Sequence, residues 1–168
     1  MEITLYFKNI HKGDILKLPV TRFREAWRWD DTEERLYRKM LNGYKPVLHL
    51  FSGHSTLGDV RIDKENFPEV THRIEIKPTR DFRLPFKDNE FDACIFDPPW
   101  INQYILWSAS EVPRVTRRRI IAITGNFWWE PARPYAYLWD LTKIYIVKRI
   151  SPVIKIVMIW DNKYGTLI

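Results

Sequence analysis

An apolar run that ends in two consecutive prolines constrains this chain more than any other feature. Residues 91–96 read Phe-Asp-Ala-Cys-Ile-Phe, and Asp97-Pro98-Pro99-Trp100 follows at once. A short apolar run with a turn signal behind it is the pattern of a buried strand. Neither proline can donate a backbone hydrogen bond and both hold φ fixed, so the strand cannot continue past Asp97. The chain must leave its sheet there, with a carboxylate at the strand tip, a rigid elbow behind it and a large aromatic ring beside it. An acid, exposed carbonyls and a flat surface at one point suit a planar ring that carries an amino group.

Other segments supply the rest of an α/β sheet. Residues 46–53, Pro-Val-Leu-His-Leu-Phe-Ser-Gly, form an apolar run closing on a glycine, read as the first strand of the core. A glycine after such a strand lets the backbone approach a nucleotide closely. Residues 58–63 read as a short second strand ending in Asp63, and residues 72–76, with Glu75, are the competing position for it. The clearest helix spans residues 31–42: Asp31 or Thr32 caps it, Glu33 and Glu34 suit its positive end, Arg38 and Lys39 its negative end, and Gly43 stops it. A helix over 104–111, a strand over 119–124, and a loop plus helix over 132–141 follow. Residues 142–148 and 153–160 read as a closing pair of strands joined through Ser151-Pro152. At the other end, residues 2–9 and 14–18 read as a hairpin turned at Lys12-Gly13. Residues 1–44 are thus a small N-terminal extension, and residues 45–168 the core.

Asp97-Pro98-Pro99-Trp100 resembles the (Asp/Asn/Ser)-Pro-Pro-(Tyr/Phe/Trp) tetrapeptide of the S-adenosylmethionine-dependent amino-methyltransferases, which methylate the exocyclic nitrogen of adenine or cytosine in nucleic acids. The strand before Gly53 resembles that family's cofactor motif, although His49 stands where an acid is usual and Ser55 where a second glycine is common. Residues 80–92, with a Leu84-Pro85-Phe86 turn and Phe91-Asp92 opening the next strand, resemble a further stretch of these enzymes. The resemblance implies a Rossmann-like class I methyltransferase sheet with helices on both faces and an antiparallel C-terminal hairpin. It implies S-adenosylmethionine held by His49, Phe51, Ser52, Gly53, Asp63, Asp81, Phe82 and Asp97. Within that set Asp63, or Glu75 in its place, takes the ribose hydroxyls and Asp81 the adenine. Asp97, Pro98, Pro99 and Trp100 carry the reaction, with Trp100, Asn126, Phe127 and Trp128 against the substrate. The implied activity is transfer of a methyl group to adenine N6, or cytosine N4, in DNA. The alternatives are an RNA base (adenine N6 or guanine N2) and a nucleic-acid-binding subunit of the same fold without catalysis. His49 and the short first crossover motivate that last alternative.

Composition bounds these readings. A chain of 168 residues with 45% hydrophobic content can build a real core. Its longest apolar runs are far too short to span a bilayer, and no signal-peptide pattern opens it, so a cytoplasmic location is expected. Cys94 is the only cysteine, which leaves no internal disulfide. No metal-ligand spacing links the histidines and acids. A net charge of +6 favours anionic partners, with arginines dense over 114–119 and 22–28. Eight tryptophans, some of them alternating with arginine near Trp27 and Trp29, suit stacking on bases beside phosphate neutralisation. Nucleic acid is the expected partner, DNA before RNA. With no separate recognition domain, sequence specificity would come from short loops, a homodimer or a specificity partner.

Overall fold

The computed structural model of the chain describes residues 15–18, 28–29, 31–125, 127–149 and 154–165. The predicted strand over 2–9 and the whole of the Lys12-Gly13 turn lie outside these residues. The described strands are β1 (Ile15–Leu18), β2 (Val47–Leu50), β3 (Val60–Asp63), β4 (His72–Arg73), β5 (Phe91–Phe96), β6 (Thr116–Thr124), β7 (Trp139–Arg149) and β8 (Ile154–Asn162). The described helices are α1 (Asp31–Met40), α2 (Asn102–Val115) and the short α3 (Arg133–Ala136). The strands form one sheet in the order β1-β7-β8-β6-β5-β2-β3-β4. Strands β4, β3, β2, β5 and β6 run parallel, whereas β8 is antiparallel to both β6 and β7. The Rossmann-like sheet with an antiparallel closing pair is therefore present. Strand β1 pairs in parallel with β7 at the edge.

Alternation along the strands gives the sheet two apolar faces, because successive side chains point to opposite sides. Ala93 and Ile95 of β5, Ile121 and Ile123 of β6, and Val157 and Ile159 of β8 pack on one side with Tyr37 and Met40 of α1. Cys94 and Phe96, Ile120 and Ala122, and Met158 and Trp160 pack on the other with Trp107, Val112 and Val115 of α2. Helices cover both faces, as expected. Arg119 ties α1 to the sheet. Its Nε and Nη2 grip the Asp161 carboxylate at 2.7 and 3.0 Å, while its Nη1 donates to the Met40 carbonyl at 2.9 Å. A cation on the last carbonyls of a helix meets the negative end of its dipole.

Helix α2 runs further than the predicted 104–111 at both ends and takes Pro113 into its last turn. Proline has no N–H, which frees the carbonyl four residues before it. That carbonyl, of Ala109, accepts the Ala132 amide instead, at 2.7 Å. The bond docks the loop after β6 onto α2.

Residues 51–59, 64–71 and 74–90 contain no helix, so the connections flanking β3 and β4 are loops. The usual first crossover helix is absent, as the short spacing from Gly53 to Asp63 requires. Both candidate second strands exist: β3 pairs with β2, and β4 lies outside it. After β2 the chain winds outward through β3 and β4, then returns to place β5 on the other side of β2. The carboxyl ends of β2 and β5 therefore flank the point where winding reverses, where open α/β sheets hold their ligands.

Candidate active site

A cleft of about 360 Å³ opens at that point. Asp97, Pro98, Pro99 and Trp100 line it from the end of β5, Phe51, Ser52 and Gly53 from the end of β2, and Asp63 from the end of β3. Ile74, Glu75 and Ile76 close its outer end. Its volume falls in the range of small-molecule sites.

The loop after β2 is tightly wound. Phe51 and Gly53 have φ of 58° and 51°, a region that a phenylalanine rarely enters. The Ser52 amide donates to the Ile62 carbonyl at 3.0 Å, and the Gly53 amide to Asp63 Oδ2 at 2.9 Å. Asp63 Oδ1 accepts the Glu65 amide at 3.0 Å, so this acid braces β3 against the loop. Glu75 is exposed and has no such bond among the described residues. The Ser52 hydroxyl is buried with no hydrogen-bond partner among them. A buried, unsatisfied hydroxyl in the lining of a cleft is what a bound polar ligand would satisfy.

Asp97 is held on one side only. Its Oδ2 accepts the Trp29 indole N–H at 3.1 Å and Lys155 Nζ at 3.0 Å. None of the described residues donates to Oδ1. Lys155 reaches this point because β8 runs antiparallel to β6: Ile156 pairs with Thr124, so β8 starts where β6 ends. By strand alternation Lys155 shares the α1 face with Val157, and there it also bonds Glu33 Oε1 at 3.0 Å. Tyr37 donates to the same Glu33 oxygen at 2.7 Å.

Trp100 is 39% exposed, with its ring against Gly125. A Cβ on Gly125 would lie 2.6 Å from Trp100 Cε3, so only glycine allows the ring to rest there. Arg28 and Lys64 add positive charge to the cleft lining.

Several residues anticipated for the site lie elsewhere. His49 is fully buried beneath the cleft on the α1 face, stacked on Trp29 with ring centroids 4.9 Å apart. Its Nδ1 lies 3.2 Å from the Leu57 carbonyl, and burial pushes its pKa down to about 4, so the ring is neutral at pH 7. A neutral imidazole cannot do what an acid does at that position. Asp81 is exposed in a turn and does not line the cleft. Phe82 packs against Trp107 and accepts that residue's indole N–H on its carbonyl at 2.9 Å. Phe127 and Trp128 are also outside the lining, and Asn126 is outside the described residues. Glu33 and Lys155 were not anticipated, and Trp29, expected to stack on bases, is buried against His49 and donates to Asp97 instead. A lysine interrupting the apolar run of 154–160 was the available signal for Lys155.

The dense arginines of 114–119 sit at the opposite end of the sheet and are engaged by carboxylates. Arg114 bonds Glu111 and Asp88, Arg117 and Arg118 bond Asp92, and Arg119 bonds Asp161. Among the described residues no three His, Cys, Asp or Glu side chains gather as metal ligands, and no helix is long and apolar enough to cross a membrane.

No protein-family profile matches the chain, and no curated protein matches it in sequence. It is similar in structure to the Burkholderia thailandensis 1,6-didemethyltoxoflavin-N1-methyltransferase, solved with bound 1,6-didemethyltoxoflavin and S-adenosylhomocysteine. The TM-score is 0.51 at 14% identity, over 83% of this chain and 81% of that one. At that identity the likeness is one of fold alone: the chain shares the Rossmann-like architecture of that enzyme.

Proposed function

We propose that the chain transfers a methyl group from S-adenosylmethionine to the exocyclic amino group of a nucleic-acid base, adenine N6 in DNA first and cytosine N4 next. The observation that carries this reading is Asp97, anchored through Oδ2 with Oδ1 left for a donor, beside the half-exposed ring of Trp100. The fold, and the position of the cleft at its switch point, support it.

Phe51, Ser52, Gly53 and Asp63 would hold the cofactor, with Ser52 Oγ gaining the partner it lacks. Glu75, rather than Asp81, would meet its adenine, because Glu75 is the acid that lines the outer end of the cleft. Bound there, S-adenosylmethionine supplies an electrophilic methyl carbon on a sulfonium, a centre that needs little activation.

The difficulty lies with the amine, whose lone pair is delocalised into the ring. Asp97 Oδ1 and the Pro98 carbonyl accept its two N–H bonds. Those bonds draw the nitrogen toward a tetrahedral shape and return the lone pair to it. Acceptors fixed in advance also stabilise the positive charge that develops on nitrogen as the new bond forms. The nitrogen then loses one proton, which Asp97 Oδ1 takes and passes to water. Trp100 stacks on the base, which must leave its helix if the target is a duplex. Arg28 and Lys64 neutralise flanking phosphates.

The test is incubation with methyl-labelled S-adenosylmethionine and separate pools of DNA and RNA, followed by nucleoside analysis. Label in N6-methyldeoxyadenosine or N4-methyldeoxycytidine is the expected result. Label in ribonucleosides would move the substrate to RNA. Absence of label together with absence of cofactor binding by calorimetry would make the chain a binding subunit that keeps the fold alone.

A further inference from the structure

We propose that Glu33 and Lys155 are positioning residues for Asp97, a buried clamp that fixes the carboxylate plane and presents Oδ1 to the substrate amine. The inference rests on the reading of the site above and extends it to two residues outside the proline elbow. The side chains of Glu33 and Lys155 are 0% and 6% exposed, and that of Asp97 is 18%. Lys155 Nζ lies 3.0 Å from both Glu33 Oε1 and Asp97 Oδ2.

Packing alone does not call for this arrangement. Lys155 occupies an inward position of β8, between Ile154 and Ile156 in sequence and beside Val157 on the same face. Taking an ammonium and a carboxylate out of water is costly, and apolar residues of similar volume generally serve a core as well or better. What the pair adds is orientation. Asp97 Oδ2 receives two donors from different elements, the Trp29 indole and the Lys155 ammonium. Rotation of the carboxylate would break both bonds, so Oδ1 keeps one direction. Glu33 holds the ammonium from behind, braced by the Tyr37 hydroxyl. Helix α1, part of the N-terminal extension, thereby enters the chemistry of the core.

The test compares K155M, the apolar pair E33L/K155M and D97A with the unmodified protein. The readouts are kcat, KM for each substrate, calorimetric affinity for S-adenosylhomocysteine, and the Trp29 indole resonance in a ¹H–¹⁵N spectrum. Loosening of a reacting group by an ångström costs about 100-fold in rate. K155M and E33L/K155M should therefore lose about that factor in kcat, keep cofactor affinity within about twofold, and shift the Trp29 indole resonance. The double variant guards against a K155M that fails to fold, since it leaves no buried Glu33 carboxylate without its cation, and the partly exposed Asp97 keeps the Trp29 indole. A double variant with unmodified kcat and an unmoved Trp29 resonance, alongside an inactive D97A, would overturn the clamp alone. Loss of cofactor affinity in K155M with kcat retained would overturn it too, and give Lys155 to the cofactor. Full turnover by D97A would instead remove the reading of the site on which the clamp rests.

Discussion

Asp92 and Asp97 stand at opposite ends of one strand, and their surroundings separate a structural acid from the one proposed to react. Asp92 spends both oxygens within the protein: Oδ1 accepts Arg117 Nε at 2.6 Å, and Oδ2 accepts the Lys45 amide at 3.1 Å and Arg118 Nη1 at 3.3 Å. Burial would raise its pKa, but the Lys45 amide and the two guanidiniums outweigh burial and hold it below the usual carboxylate range. Asp97 spends one oxygen only, and the residue lines the cleft. Asp92 is committed to three donors within the protein and lies at the end of the strand away from the cleft. A carboxylate that is anchored at a single oxygen is oriented and still available.

The contrast can be broken most strongly at Asp97. Asp97→Ala should lower methyl transfer by about 100- to 1000-fold, the usual loss when one preorganised polar group is removed. The melting temperature should change little, because Lys155 keeps Glu33 as its partner.

His49, on the strand beside Asp97, tests how far the buried face beneath the cleft tolerates charge. Its pKa falls from an ordinary 6.5 to about 4, so between those values the unfolded chain binds a proton that the folded chain does not. Stability therefore falls as pH drops through that window, by up to about 3 kcal/mol. Denaturant unfolding at pH 7 and pH 4.5 should show the loss in the unmodified protein, and His49→Leu should remove most of it.

Asp92→Ala is the mirror of the first variant. It should cost about 2 kcal/mol of stability, the scale for hydrogen bonds to a charged group, and leave kcat of the folded protein unchanged. Because the folded pKa of Asp92 is depressed, its contribution is complete above the unfolded carboxylate range. That contribution is lost as pH falls through the folded value, below the His49 window. The smallest effect is expected at Gly125. A Cβ there would push Trp100 from its seat, and Gly125→Ala should raise KM for the base substrate about tenfold while cofactor affinity holds, in line with the scale of aromatic–base stacking.

Much of this architecture could be read in the chain itself, for physical reasons that vary by segment. Strand β5 and its proline elbow were legible because a buried strand and a double proline are local signals. Helix α1 was legible through its charges and Gly43, which has φ of 86°. The start of β6 was not, since Arg117 and Arg118 look like a solvated basic face until Asp92 is seen beside them. The loop of 74–90 carries no periodicity, so the placing of Asp81 depended on resemblance, and Glu75 lines the cleft instead. Lys155 and Glu33 are 122 residues apart, and no spacing rule joins them. Only the antiparallel return of β8 brings the lysine to the end of β6.

The most direct test of the central claim is a side-by-side assay of the unmodified protein, Asp97→Ala and Asp92→Ala with methyl-labelled S-adenosylmethionine and nucleic acid. Label on an exocyclic base nitrogen from the unmodified protein and Asp92→Ala, with none above background from Asp97→Ala, is the predicted result. Equal labelling by Asp97→Ala, or loss in Asp92→Ala while that variant remains folded, would contradict the division of roles between the two acids.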